Sequence, residues 1–76
     1  MKDILEYIAR NLVDDPDAVR VTEIQGGSAL TLQLEVAQDD VGKVIGRGGR
    51  TARAIRSVMR AAGVKAGVTP VVEIVG

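Results

Sequence analysis

The sequence predicts a small α+β domain in which helices pack on one face of a three-stranded sheet, with elements in the order αββααβ. Three observations predict it. Apolar residues recur at helical spacing near the start and again between Arg50 and Ala62; they alternate with polar ones from Leu30 to Val36; and glycine or proline stands at the changes of period. The 76 residues make one domain, 1–76. A domain that small buries only about 60% of the surface its unfolded chain exposes.

Ile4, Leu5, Ile8, Ala9 and Leu12 fall within about 140° on a helical wheel, one apolar stripe of an amphipathic helix over Lys2 to Val13. Pro16 ends it, because proline cannot donate a backbone bond and pushes Asp15 out of the helical region. Val19 and Val21 then alternate with Arg20 and Thr22 as a first strand. The alternation fails at Glu23 and Ile24, which suggests a bulge ahead of a hairpin turn at Gly26 and Gly27. Leu30, Leu32, Leu34 and Val36 alternate with Thr31, Gln33 and Glu35, the clearest half-buried strand in the chain. Asp39 or Asp40 is placed to cap a very short helix, Val41 to Ile45, which Gly46 stops. A longer helix starts near Arg50 or Thr51 and reaches about Ala62, with Gly63 as a plausible cap. Val68 to Val75 forms the last strand, Val72 and Ile74 inward and Glu73 outward, with Pro70 at its start or on an edge.

Composition excludes several classes of chemistry. The chain has no cysteine and no histidine, so disulfides, thiolate metal sites, zinc chemistry and histidine-based triads are out. No apolar run reaches the length of a membrane span, and the charged start does not resemble a signal peptide. The expectation is a soluble, cytoplasmic protein with no membrane contact, no small-molecule substrate, no cofactor and no metal. Asp14, Asp15, Asp17, Asp39 and Asp40 are the one set that resembles a hard-metal site, and a polar helix stop accounts for most of them.

The zero formal charge hides a partition. Residues 1–40 hold nine acids and three bases; residues 41–76 hold seven bases and one acid, Glu73. The segment Lys43 to Arg60, KVIGRGGRTARAIRSVMR, contains six bases and no acid. On the long helix Arg50, Arg53, Arg56 and Arg60 share an arc of about 120°, opposite Ala52, Ile55 and Met59. Like charges at these spacings repel by a few tenths of a kcal/mol per pair, so helix stability does not select the pattern. A polyanionic partner does; pairing with Glu35, Glu73 or the acidic half is the alternative. Ahead of that helix, Gly46, Arg47, Gly48 and Gly49 form GxxG. Glycines let a phosphate backbone approach closely, and the following helix start favours the anion. Read alone, GxxG is equally a plain tight turn. Neither a Walker loop nor a dinucleotide loop fits: Arg47 stands where the former needs its second glycine, and Thr51 where the latter needs its third.

Val44, Ile45, Gly46, Arg47, Gly48 and Gly49, followed by Ile55, resemble the KH-domain signature VIGxxGxxxxxI, and αββααβ resembles the type II KH arrangement. Over the whole chain the sequence is similar to the small bacterial single-KH RNA-binding proteins of the KhpA family. The resemblance implies a type II KH fold and a cleft for about four single-stranded nucleotides. It implies that Gly46, Arg47, Gly48 and Gly49 grip the RNA backbone, with Val44 and Ile45 in the floor and wall of the groove. Lys43, Arg50 and Arg53 are the candidates for further phosphate contacts. The resemblance also implies an RNA chaperone or post-transcriptional regulator linked to cell shape and cell wall biogenesis. It would act as a homodimer, or as a heterodimer with a larger KH-domain protein. Tyr7 is the only aromatic residue, so recognition by base stacking on rings is not expected. The second reading of the residues is a protein-interaction or dimerisation module in which the RNA site is unused.

Overall fold

The apolar stripe near the start forms a helix, α1 (Lys2–Leu12), that buries Leu5 and Ala9 completely. Asp3 in its first turn and Arg10 in its last suit the helix dipole. Val13 is already extended, and Pro16 opens a single 3₁₀ turn, Pro16–Ala18, that leads into the sheet. The computed structural model describes residues 1–75.

Strands β1 (Arg20–Gly26) and β2 (Ala29–Glu35) pair antiparallel around Gly27 and Ser28, Gly27 taking φ +62°. The register runs without interruption from Arg20 opposite Glu35 to Gly26 opposite Ala29, so the bulge expected near Glu23 is not there. The lost alternation has another cause. Val21, Glu23 and Gln25 lie opposite Leu34, Leu32 and Leu30 on the face that carries the core, yet only Val21 of the three is buried. Along this edge strand the apolar cover runs out after Val21, and polar side chains there remain in solvent.

From β2 the chain passes through a 3₁₀ turn, Gln38–Asp40, into α2 (Val41–Ile45), the GxxG loop, α3 (Arg50–Ala66) and β3 (Thr69–Val75). Gly63 does not end α3. It is buried within the helix, where a Cβ would lie 2.7 Å from the Val68 carbonyl oxygen and would meet the Pro70 ring. The cap is Gly67, left-handed at φ +74°, whose N–H turns back to the Val64 carbonyl. The helix therefore runs to Ala66, one turn past the end the sequence suggests.

β3 pairs parallel with β2, giving the order β1-β2-β3 with β2 in the centre. Leu30, Leu32 and Leu34 stand beside Pro70, Val72 and Ile74 on the covered face, and Pro70 is accommodated because β3 is an edge. The three helices pack on this face; Leu5, Leu32, Leu34, Val44 and Met59 form the fully buried centre. The architecture is the α+β, αββααβ fold the sequence predicts. A parallel pair needs a long crossover, and α2, the loop and α3 are that crossover. The glycine loop thus sits midway between two strands the core holds in register. No helix among the described residues is long and apolar enough to cross a membrane.

Candidate nucleic-acid interface

The loop is built from backbone conformations that side chains resist. Gly46 takes φ 75°, ψ 171°, a region essentially confined to glycine. A Cβ on Gly46 would also stand 2.8 Å from the Thr51 Cβ and 2.9 Å from its backbone nitrogen. Gly46 is thus fixed twice, by conformation and by space. Gly48 (φ 63°, ψ 19°) and Gly49 (φ 78°, ψ 13°) are left-handed, and around Gly48 the space is open. The Gly49 N–H donates to the Gly46 carbonyl at 3.1 Å, closing one tight turn with Arg47 exposed at its tip. No side chain caps the start of α3; the Arg50 N–H donates to the Arg47 carbonyl, and the amides after it have no side-chain acceptor.

The two sides of the loop differ in charge pairing. Asp40, only 2% exposed, stands at the start of α2, but its carboxylate does not cap that helix. One oxygen accepts the Asp15 N–H at 3.1 Å, and the other lies 3.7 Å from the Lys43 ammonium. Lys43 also pairs with Asp14 at 3.1 Å. The hydrogen bond and charge of Asp14, with Asp40 second, raise the Lys43 pKa above its ordinary 10.5 despite partial desolvation. The acidic helix stop is therefore tied to α2 through one lysine. Among the described residues no group of three acids is arranged to hold a metal ion, so the Asp14–Asp40 carboxylates form an ion-pair anchor.

Beyond the loop, Arg47, Arg50, Arg53, Arg56 and Arg60 are all exposed, and none lies in an ion pair among the described residues. Arg53 reaches back to donate from Nη1 to the Gly48 carbonyl at 3.0 Å. It braces the loop and keeps its other donors open. Arg50 stands at the first turn of α3.

The predicted site residues therefore occupy three kinds of position. Gly46, Arg47, Gly48, Gly49, Arg50 and Arg53 come together around the loop. Ile45, 39% exposed, lines the approach to it, while Val44 is completely buried and supports the groove from beneath instead of lining it. Lys43 is the one base of the set already paired with acids. Asp14, Asp15 and Asp40 were not singled out as partners of the site. Asp40 and Lys43 are three apart on one helix face, a pairing signal the sequence carries; Asp14 and Asp15 reach them only through the fold.

A sequence profile of the KhpA/KhpB KH domain matches residues 2–74. The chain is 53% identical over 75 residues to the RNA-binding protein KhpA of Clostridium acetobutylicum, covering 99% of this chain and 100% of that protein. It is 48% identical over 75 residues to the RNA-binding protein KhpA of Clostridium perfringens, with the same coverage of both. To the protein of that name from Aquifex aeolicus it is 49% identical over 74 residues, 97% of this chain and 94% of that one. No solved structure gives a significant match.

Proposed function

We infer that this chain, which belongs to the KhpA/KhpB KH-domain family, is a non-enzymatic protein that binds single-stranded RNA through the Gly46–Gly49 loop. One observation carries the reading: three positive-φ glycines flank an exposed, unpaired Arg47 at a helix start that no side chain caps. That is a surface a sugar-phosphate backbone can approach and a guanidinium can grip. With no aromatic ring beside the loop, affinity for a short oligomer is weak. About three neutralised phosphates give log K a slope near −2 against log salt. The test is the double change Arg47→Asp and Gly48→Asp. Circular dichroism should stay native while RNA affinity falls; unchanged affinity with an intact fold would sink the reading.

The finer role follows the family: an RNA chaperone or post-transcriptional regulator in the cytoplasm, linked to cell-envelope and cell-shape control. It works as a homodimer or with a larger KH-domain protein. Support for a protein partner comes from an apolar groove of about 220 Å³ between α1 and α3, lined by Ile8, Leu12, Ala54 and Val58. The second reading, a dimerisation module with an unused loop, rests on that groove alone. Sedimentation with and without RNA separates the two: a dimer that ignores RNA at low salt favours the module.

A further inference from the structure

The RNA reading accounts for the loop and for the arginines at the first turns of α3, and leaves Arg56 and Arg60 without a task. We propose that α3 carries a backbone track beyond the loop, in which Arg56 and Arg60 hold the phosphates of a further length of the same RNA strand, independent of base identity. The proposal rests on the RNA-binding reading and extends it.

Four facts support it. First, charge is placed, not in excess: the chain is neutral overall. Elsewhere three of the five bases are matched with acids, Lys2 and Arg10 with Glu6 and Lys43 with Asp14 and Asp40, while Arg20 and Lys65 form no ion pair among the described residues. Arg56 and Arg60 have no such partner among the described residues and are exposed. Second, they share with Arg50 and Arg53 an arc of about 120°, so a strand leaving the loop meets guanidinium groups continuously along one side of the helix. Arg56 and Arg60 stand about 9 and 15 Å along the axis from Arg50. Third, a helix gains nothing from stacking like charges at these spacings. Fourth, the arc lacks the apolar and aromatic centre of a protein-docking surface. Besides the arginines it holds Ser57 and Val64, with no aromatic anchor, whereas the apolar groove lies on the other side of α3 toward α1. Guanidinium forks without rings suit phosphates rather than bases.

The test compares the intact chain with the variant Arg56→Gln/Arg60→Gln on two random-sequence RNA pools, one of about 20 nucleotides and one of about 5. Anisotropy is measured at several salt concentrations, with circular dichroism as the fold control. Two lost phosphate contacts on a single strand flatten the slope of log K against log salt by about 1.4 and weaken the longer RNA roughly tenfold at low salt. Affinity for the short RNA stays within about twofold. An unchanged slope on the longer RNA overturns the track, and so does equal weakening on both lengths, which would make Arg56 and Arg60 part of the loop's own grip. Failure of the unaltered chain to bind the longer RNA would instead overturn the RNA reading itself.

Discussion

Lys43 and Arg47 flank the same glycine, four residues apart in an acid-free run, yet they stand in opposite electrostatic situations. Lys43 is held between Asp14 and Asp40, and through Asp40 it is connected to the Asp15 backbone. Arg47 sits at the loop tip and forms no ion pair among the described residues. The difference teaches that a base in a basic run is not by that fact available to a ligand. On the α2 side of the loop, positive charge fastens one part of the fold to another. On the α3 side it is left for something outside the chain.

The joint between the two sides is Gly46, and breaking it has the largest expected effect. Gly46→Ala forces a Cβ into Thr51 at a φ/ψ closed to alanine. The expected loss is roughly 2 to 4 kcal/mol, read from urea denaturation, together with loss of RNA binding. A stability within about 0.5 kcal/mol of the parent would show that the joint yields. Next comes Asp40→Ala, which removes the acceptor of the part-buried Asp15 N–H hydrogen bond and frees Lys43 from one partner. About 1 to 3 kcal/mol of stability is expected to go, and Asp40→Asn, which keeps an acceptor, should recover part of it. Equal losses for Ala and Asn would assign the effect to the Lys43 ion pair instead of the Asp15 hydrogen bond.

The comparison itself is sharpened by a matched pair of substitutions. Arg47→Gln should weaken RNA binding several-fold and flatten the salt slope by about 0.7, one phosphate contact, with little change in stability. Lys43→Gln should leave the slope alone. If the two variants lose the same slope, Lys43 reaches the RNA despite its partners. The smallest effect is a pH dependence. The folded Lys43 pKa lies above 10.5, so the stability its pairing contributes is fully present below that value and disappears as pH rises through the folded pKa. Urea midpoints of the intact chain and of Lys43→Met should therefore converge above about pH 10.5 and stay constant in separation from pH 8 to 10. A separation that persists at pH 12 would mean the lysine acts by packing its stem.

How much of this was legible in the sequence depended on whether the information was local. The alternation from Leu30 to Val36, the bounds of α2 and the order of elements are written in neighbouring residues, and the structure follows them. Gly63 looked like a helix cap because sequence shows only that a side chain is missing. It does not show whether conformation or space removed it. At Gly63 the reason is the Pro70 ring, and at Gly67 it is φ. Asp40 looked like a cap because it precedes α2, but a carboxylate offered a backbone N–H from a distant turn and an ammonium satisfies those first. The irregular β1 looked like a bulge because period alone does not reveal where helical cover stops. In the site, the glycine loop and its following arginines were visible as a pattern; the bracing bond from Arg53 to Gly48 was not, since nothing in the spelling fixes a rotamer.

The parallel pairing of β2 with β3 has a kinetic consequence. The β1–β2 hairpin turns on two residues and can close early, whereas partners such as Leu32 and Val72 come from opposite halves of the chain. Bringing them together requires the whole α2–loop–α3 segment to fold back, and closure over that length is the entropically expensive step. The glycine loop lies inside the segment that must be ordered for β3 to dock. A nascent or partly unfolded chain can thus display its hairpin without a formed grip. The geometry of the loop is complete only once the last strand has docked.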